Sequence, residues 1–139
     1  MKKVWVISGI VLGIVAISFV GIYALVDDWL PKADAIACPN DEHVLSISLT
    51  ANDAVVIEMV DEQYNVVLEC IRNAKPTRRM SVNDVPSTNT YYILNVTTAT
   101  KNYRYFVYED GSRVYIEMPY QGIYKADRQF LDLITTCFS

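Results

Sequence analysis

Two stretches of this 139-residue chain gather side chains suited to recognition. In the first, Lys75, Arg78 and Arg79 form a cationic cluster, and Ser81, Asn83 and Asp84 follow with turn-forming side chains. Guanidinium groups just past a helix end present planar donor forks that suit a carboxylate or a phosphate. The second stretch is Tyr115 to Tyr124, YIEMPYQGIY. There Pro119 and Gly122 bracket a turn, and Tyr120, Gln121 and Tyr124 make a candidate aromatic surface. If the two stretches meet in space, they form a groove for an anionic partner: a lipid headgroup, a wall polymer or an acidic peptide. A plainer reading stands beside it. The basic residues then cap helix carbonyls and pair with Glu109, Asp110 or Glu117, and the tyrosines fill a half-buried pleat.

Catalytic patterns are missing. His43 is the single histidine, with no nucleophile motif near it. There is no HExxH, phosphate-binding loop or GxGxxG pattern. Asp41, Glu42 and Asp53 fall near a hairpin but lack the alternation and the glycine of a calcium loop. Paired carboxylates for hydrolysis of an envelope polymer have nothing pointing to them. The chain reads as non-catalytic, without metal or cofactor. Its three cysteines, Cys38, Cys70 and Cys137, match no zinc spacing and permit at most one intramolecular disulfide. A Cys38–Cys137 bridge would tie the start of the domain to its end; three isolated thiols packed as small apolar groups is the simpler alternative.

The elements that must position these residues begin with an apolar run, Val4 to Val26, which carries no charge. As a helix rising ~1.5 Å per residue it spans a hydrocarbon core of ~30 Å. Lys2 and Lys3 before it and Asp27 and Asp28 after it set the orientation: N-terminus in the cytoplasm, C-terminal domain outside the cell. Trp5 and Trp29 fall where indole rings favour the headgroup layer. Gly9 and Gly13 share a GxxxG spacing, a weak pairing motif in glycine-rich membrane helices. Cleavage as a signal peptide and lipidation at Cys38 are the rival fates. The run is longer than a signal h-region, and the charged VDDWLPKAD separates it from Cys38, so the helix is expected to stay attached.

Apart from Lys2 and Lys3, all charged residues follow the run, so the exported part is more acidic than the chain's overall −4. That balance, with export, argues against nucleic acid as a partner. Ten tyrosines suit half-buried strands and also partner surfaces.

Residues 1–30 thus read as an anchor, 31–43 as a juxtamembrane linker with a helical turn at Lys32–Ala37, and 44–139 as one small domain. Val44–Thr50 and Ala54–Val60 alternate as a strand hairpin. Val60, Tyr64, Val67, Leu68 and Ile71 then make one helical stripe, which Pro76 stops. Thr77–Thr90 is polar and irregular, and a loop of that length in a compact domain is often functional or disordered. Tyr91–Thr98, Tyr103–Tyr108 and Arg113–Met118 follow as strands, the last two joined by an Asp-Gly turn. Ile123-Tyr124 re-enters at the sheet edge, and Asp127–Cys137 closes as a helix with Asp127 as its N-cap or a first-turn acid. The expected order is β-β-α-β-β-β-α: an α+β fold with five antiparallel strands and both helices on one face.

The segments NAKPTRRMSVNDVP (Asn73–Pro86) and YIEMPYQGIYKAD (Tyr115–Asp127) resemble an uncharacterised domain family of clostridial and related Gram-positive bacteria. The resemblance runs from about Leu30 to the C-terminus. Members typically join a lysine-led membrane segment, a linker like LPKAD and one small domain. Similar domains sit at the exported ends of antibiotic-sensor membrane metallopeptidases, whose HExxH this chain lacks. The stretch Ala35–His43 is longer and more cysteine-marked than the family's usual entry to its first strand. The resemblance implies a binding or sensor-accessory module at the outer membrane face, with no activity to carry over. An immunity-type protein sequestering a peptide antibiotic is the second expectation, and an envelope hydrolase a distant third.

Overall fold

The computed structural model describes residues 32–40, 43–51 and 55–138. The apolar run Val4–Val26 lies outside them, as do Asp41, Glu42 and Asp53. Among the described residues no helix is long and apolar enough to cross a membrane. The elements are β1 (Val44–Ala51), β2 (Val55–Glu58), α1 (Asp61–Arg72), β3 (Lys75–Pro76), β4 (Tyr92–Thr98), β5 (Asn102–Asp110), β6 (Arg113–Met118), β7 (Gly122–Ala126) and α2 (Arg128–Thr136). They form a mixed α+β fold. Seven strands make one antiparallel sheet in the order β2-β1-β4-β5-β6-β7-β3.

Alternation decides which side chains face the helices. Ile47 and Leu49 of β1, Leu94 and Val96 of β4, Tyr105 and Val107 of β5, and Ile116 and Tyr124 further across are buried in one cluster. Val67, Leu68 and Ile71 of α1 and Phe130, Leu131 and Ile134 of α2 complete it. Their spacing puts each trio on one helical stripe. Val60, expected at the head of the first stripe, stands instead as an exposed N-cap. Asp127 occupies the N-cap of α2 but makes no side-chain cap bond. The β5–β6 hairpin turns through Gly111 and Ser112, with Gly111 at φ +65. A positive φ at the first of two loop residues is the pattern that glycine allows without steric cost.

The opposite face is divided. On β5 to β7, Phe106, Tyr108, Tyr115, Glu117 and Ile123 are buried there. The 77–90 segment lies over them, with the Tyr91 ring edge-on to Phe106 at 5.4 Å. On β1 and β4 the same face carries Ser46, Ser48, Asn95 and Thr97, continued on β5 by Asn102 and Arg104. Ile93 on β4 and the exposed Val56 on β2 lie at one end of that polar row, on the same face.

The sheet is two strands larger than the sequence pattern suggested. Lys75–Pro76, expected as a helix stop, is an edge strand paired to β7. Two residues including a proline carry no readable alternation, and the missing N–H is tolerated only at an edge. Ile123-Tyr124, expected at the edge, belongs to a full strand held between β6 and β3. Residues 32–40 form no helical turn. Tertiary bonds hold them extended: Ala33 N donates to Thr77 O at 3.0 Å, Tyr105 OH to Ala37 O at 2.7 Å, and the Arg72 guanidinium to Pro39 O at 3.0 Å. The linker is therefore packed within the compact unit Lys32–Ser139.

Gly122 is the residue that lets this linker approach. A Cβ built on it would stand 2.6 Å from Ala33 Cβ, a methyl fixed to the backbone. Gly122→Ala should therefore cost about 1–3 kcal/mol through overpacking. Adding Ala33→Gly should recover most of it, measured as coupling in a double-mutant cycle of denaturant unfolding.

Candidate functional site

The two recognition stretches meet on the covered half of the sheet. Three contacts join them. Ile123 N donates to Arg79 O at 3.0 Å, so the chain after β3 continues along β7. Ser81 Oγ donates to Glu117 Oε1 at 2.7 Å. Tyr120 OH donates to Asp84 Oδ1 at 2.7 Å. Thr77 adds its own bonds to the Ile123 carbonyl, 3.1 Å from the amide and 2.6 Å from the hydroxyl. A segment with no regular structure is thus pinned along its length.

Glu117 is the centre of this arrangement. It is 5% exposed, and Tyr108 OH donates to its second oxygen at 3.1 Å. A buried carboxylate needs such donors, since unpaired it would lose its hydration without replacement. The tyrosine answers in kind. Burial, then the Glu117 charge and the hydrogen bond to it, hold the Tyr108 hydroxyl above the ordinary phenol range.

Between segment and sheet lies a hollow of about 570 Å³, lined by Arg79, Asn83, Ser87, Tyr108, Asp110 and Glu117 among others. Arg79 reaches Asp110 at 3.5 Å and stands over the Tyr115 ring at 5.5 Å. Asp84 and Gln121 line a second groove of about 660 Å³ on the other side of the segment.

The turn that carries Tyr120 is strained. Gln121 N donates to Met118 O at 3.1 Å across Pro119-Tyr120, and Tyr120 has φ +60. Proline second and a positive φ third define a type II turn, whose third position favours glycine. A tyrosine there is unusual and is held by its bond to Asp84. That bond, and then the Asp84 charge, raises the Tyr120 pKa from its ordinary value.

Not every candidate belongs to the site. Tyr124 is 1% exposed and faces the helices opposite Ile116, so it is a core residue. As the third residue of β7 it shares the side of Gly122 and Ala126, a parity that cannot be read until the strand's bounds are known. Lys75 is exposed on β3 opposite Lys125 and borders a separate hollow with Glu69 and Asp127. Arg78 is half-buried beside the edge strand. Arg79, Asn83, Asp84, Tyr120 and Gln121 are the members that the fold gathers. The pairing of Arg79 with Asp110 matches the plainer sequence reading for that residue.

The sequence marks Ser81 only as a turn former and Glu117 only as a possible partner of the basic residues, and it leaves Tyr108 unmarked. Glu117 carried the one available signal, an acid inside the alternating strand RVYIEM at a position that turned out to be inward-facing. His43 is exposed at the start of β1. Among the described residues no group of three or more His, Cys, Asp or Glu side chains is placed to hold a metal. None of the three cysteines is in a disulfide. Cys38 donates to Leu68 O at 3.8 Å and Cys137 to Leu133 O at 3.4 Å, so the suggested Cys38–Cys137 bridge is not formed. Burial, then Glu69 and Asp127, raises the Cys70 pKa.

The fold and this face define a small antiparallel α+β domain whose distinguishing chemistry sits on one long inter-strand segment. The chain belongs to the DUF5301 family, described as "Domain of unknown function (DUF5300)", which it matches over residues 32–125. Most of the two segments that suggested a family of this kind falls within those residues. A solved structure, "NMR structure of the protein from Ruminococcus gnavus", is similar at 29% identity with a TM-score of 0.62, covering 73% of this chain and 100% of that one. No curated protein matches the chain.

Two outcomes follow from the buried network. Ser81→Ala removes a donor from Glu117 and should cost about 1–3 kcal/mol, with proteolysis of the 77–90 segment accelerating in step. Val82→Ala, at an exposed position of the same segment, should change neither. The tyrosines set the second. Tyr105 and Tyr108 both bind their protons more tightly folded than unfolded, burial being the main cause. Stability from them is fully present below the unfolded phenol value of about 10 and is lost as pH rises above it. Chemical denaturation from pH 8 to 11.5 should show a decline beginning near pH 10, shallower in Tyr108→Phe.

Proposed function

We propose that this chain is a membrane-tethered, extracytoplasmic, non-catalytic binding domain. Its recognition surface is the face built by residues 79–84 and the 118–121 turn. The anchor is the apolar run Val4–Val26, which leads from the cytoplasm and holds the domain at the outer membrane face. The observation that carries the binding reading is the strained Tyr120. Its backbone occupies a glycine-favoured conformation, its side chain is 65% exposed, and its hydroxyl is committed to Asp84. A stability role alone would be better served by glycine, so the side chain's position outside the core is the reason to keep it. Exposed apolar side chains stand on the segment that carries Asp84: Met80, Val82 and Val85, at 58%, 71% and 49% exposure. Apolar exposure of that kind marks contact surfaces. The ligand class is an anionic group at the outer membrane face, met by Arg79 and the amide of Asn83.

A second reading draws on the hollow itself. Asp110 and Glu117 line it together with Arg79, so it offers two carboxylates against one guanidinium. A cationic peptide, sequestered as an immunity protein would hold it, fits that balance.

Titration of the full chain in neutral detergent with an acidic peptide, a cationic peptide and anionic vesicles separates these. Binding of an acidic probe that is lost in Arg79→Ala with Asn83→Ala supports the first reading, and preference for the cationic peptide supports the second. Tyr120→Gly is the sharper variant: the melting temperature should hold or rise while binding falls. A variant that keeps both stability and binding would remove Tyr120 from the site.

A further inference from the structure

The groove on the far side of the 81–84 segment has a different chemistry from the hollow, and it continues onto the bare polar half of the sheet. We propose that it is a binding site for an anionic polyol polymer: a chain of hydroxyl-bearing units carrying phosphate or carboxylate groups. This deepens the binding reading above by assigning a ligand class and a second set of residues.

The floor is a lattice set by strand register. Asn95 lies opposite Arg104 and Thr97 opposite Asn102, with Ser48 and Ser46 next along on β1. Cross-strand neighbours on one face stand about 5 Å apart, and residues two apart along a strand about 6.5 Å. The result is a flat array of amides and hydroxyls, each able to donate and accept. Such an array matches a polyol, whose hydroxyls also do both. It does not match an apolar partner.

The charge on this floor is one-sided. Arg104 Nε donates to Asn95 Oδ1 at 3.2 Å, which orients the guanidinium and leaves its two terminal nitrogens for a ligand. Lys101 borders the same groove, with its ammonium 4.6 Å from the centre of the ring of Tyr103, a side chain that packs against the helix-side core. Among the described residues neither cation forms an ion pair with a carboxylate, in a chain of net charge −4. The acid in register with Arg104, Glu58 on β2, is three strands away, about 14 Å. The acid that borders the groove, Asp84, accepts the Tyr120 hydroxyl. Cations that no described carboxylate neutralises, on an acidic protein, attract an anion.

The second wall is the type II turn, which brings Pro119 and the Gln121 amide to the groove. The strained Tyr120 and its Asp84 partner therefore fix the height of that wall. Arg79 is on the other side of the segment, paired with Asp110, so the two sites can be removed one at a time.

The probes are poly(glycerol phosphate) and polygalacturonate, which share hydroxyls and anionic groups, with dextran as the neutral polymer, inorganic phosphate as the isolated anion, and phosphatidylglycerol vesicles as the lipid source of phosphate. Calorimetry uses the full chain in neutral detergent, and sedimentation replaces it for the vesicles. One or both anionic polymers should bind, weakening as salt rises. Lys101→Ala with Arg104→Ala should reduce that binding about tenfold or more at unchanged melting temperature. Asn102→Asp, which sets a carboxylate on the exposed floor, should do the same. Lys75→Ala, on the edge strand, should leave it intact. The assignment is overturned if dextran binds as well as the charged polymers. Inorganic phosphate binding as tightly as a polymer, or vesicles outcompeting the polymers, overturns it too. Polymer binding lost in Arg79→Ala yet unchanged in Lys101→Ala with Arg104→Ala would also overturn it, while leaving the binding reading standing.

Discussion

A carboxylate buried against a β-sheet has to find its hydrogen bonds inside the protein, and Glu117 finds them in Ser81 and Tyr108. Much of the covered face depends on that requirement. Ser81 is fixed because it is one of two donors, and fixing Ser81 fixes the path of a segment that has no regular structure of its own. The hollow beside it exists because the segment is held off the sheet by a polar contact and not collapsed onto it by apolar ones. Met80, Val82 and Val85 then have nowhere to go but outward. The cost of exposing them is modest, and the buried bond that enforces it sits where desolvation makes a lost partner expensive.

The same logic operates at the sheet edge. β7 is flanked by β6 on one side and by the chain from Lys75 to Arg79 on the other, and Ala33 bonds to the outside of that chain. Edge strands with free amides invite pairing with other molecules. Here the edge is closed in layers, first by a two-residue strand with proline, then by the extended linker. Lysines opposite one another at Lys75 and Lys125 add charge repulsion against a further strand. That arrangement explains why the residues before β1 belong to the domain, and why Lys75 serves the edge and not the face shared by residues 79–84 and the 118–121 turn.

Elements with a long period were legible in the sequence. The stripe in α1, the alternation in β1, β4 and β5, and the full extent of β6 could be read because many side chains repeat one environment. β3 could not be read, since two residues carry no period and proline argues for a break. β7 was half-read: Ile123 and Tyr124 were apolar enough to suggest a strand, but the turn ahead of it hid its register. Register is what placed Tyr124, because a shift of one residue exchanges the faces of the sheet. At the site, the charges of Arg79 and Asp84 and the turn residues at 119–122 stood out by composition. Glu117 did not, because an acid in a strand is ordinarily a solvated one, and only the path of the 77–90 segment makes it buried.

Tyr120 links these constraints. A type II turn with glycine at its third position would close β6 onto β7 without strain, and a glycine already lies two residues further on at Gly122. The chain uses each residue where its opposite property is needed. Gly122 has no side chain because the linker's Ala33 lies against it. Tyr120 has a large one, in the conformation least suited to it, and presents it to solvent and to Asp84. Swapping the two would relieve the turn and collide with the linker. The turn thus ties the edge closure to the covered face: the backbone that admits the linker at Gly122 also presents Tyr120 to solvent and to Asp84. The strain held in that backbone is offset by the Asp84 bond, so the conformation of the turn depends on the segment that carries Asp84.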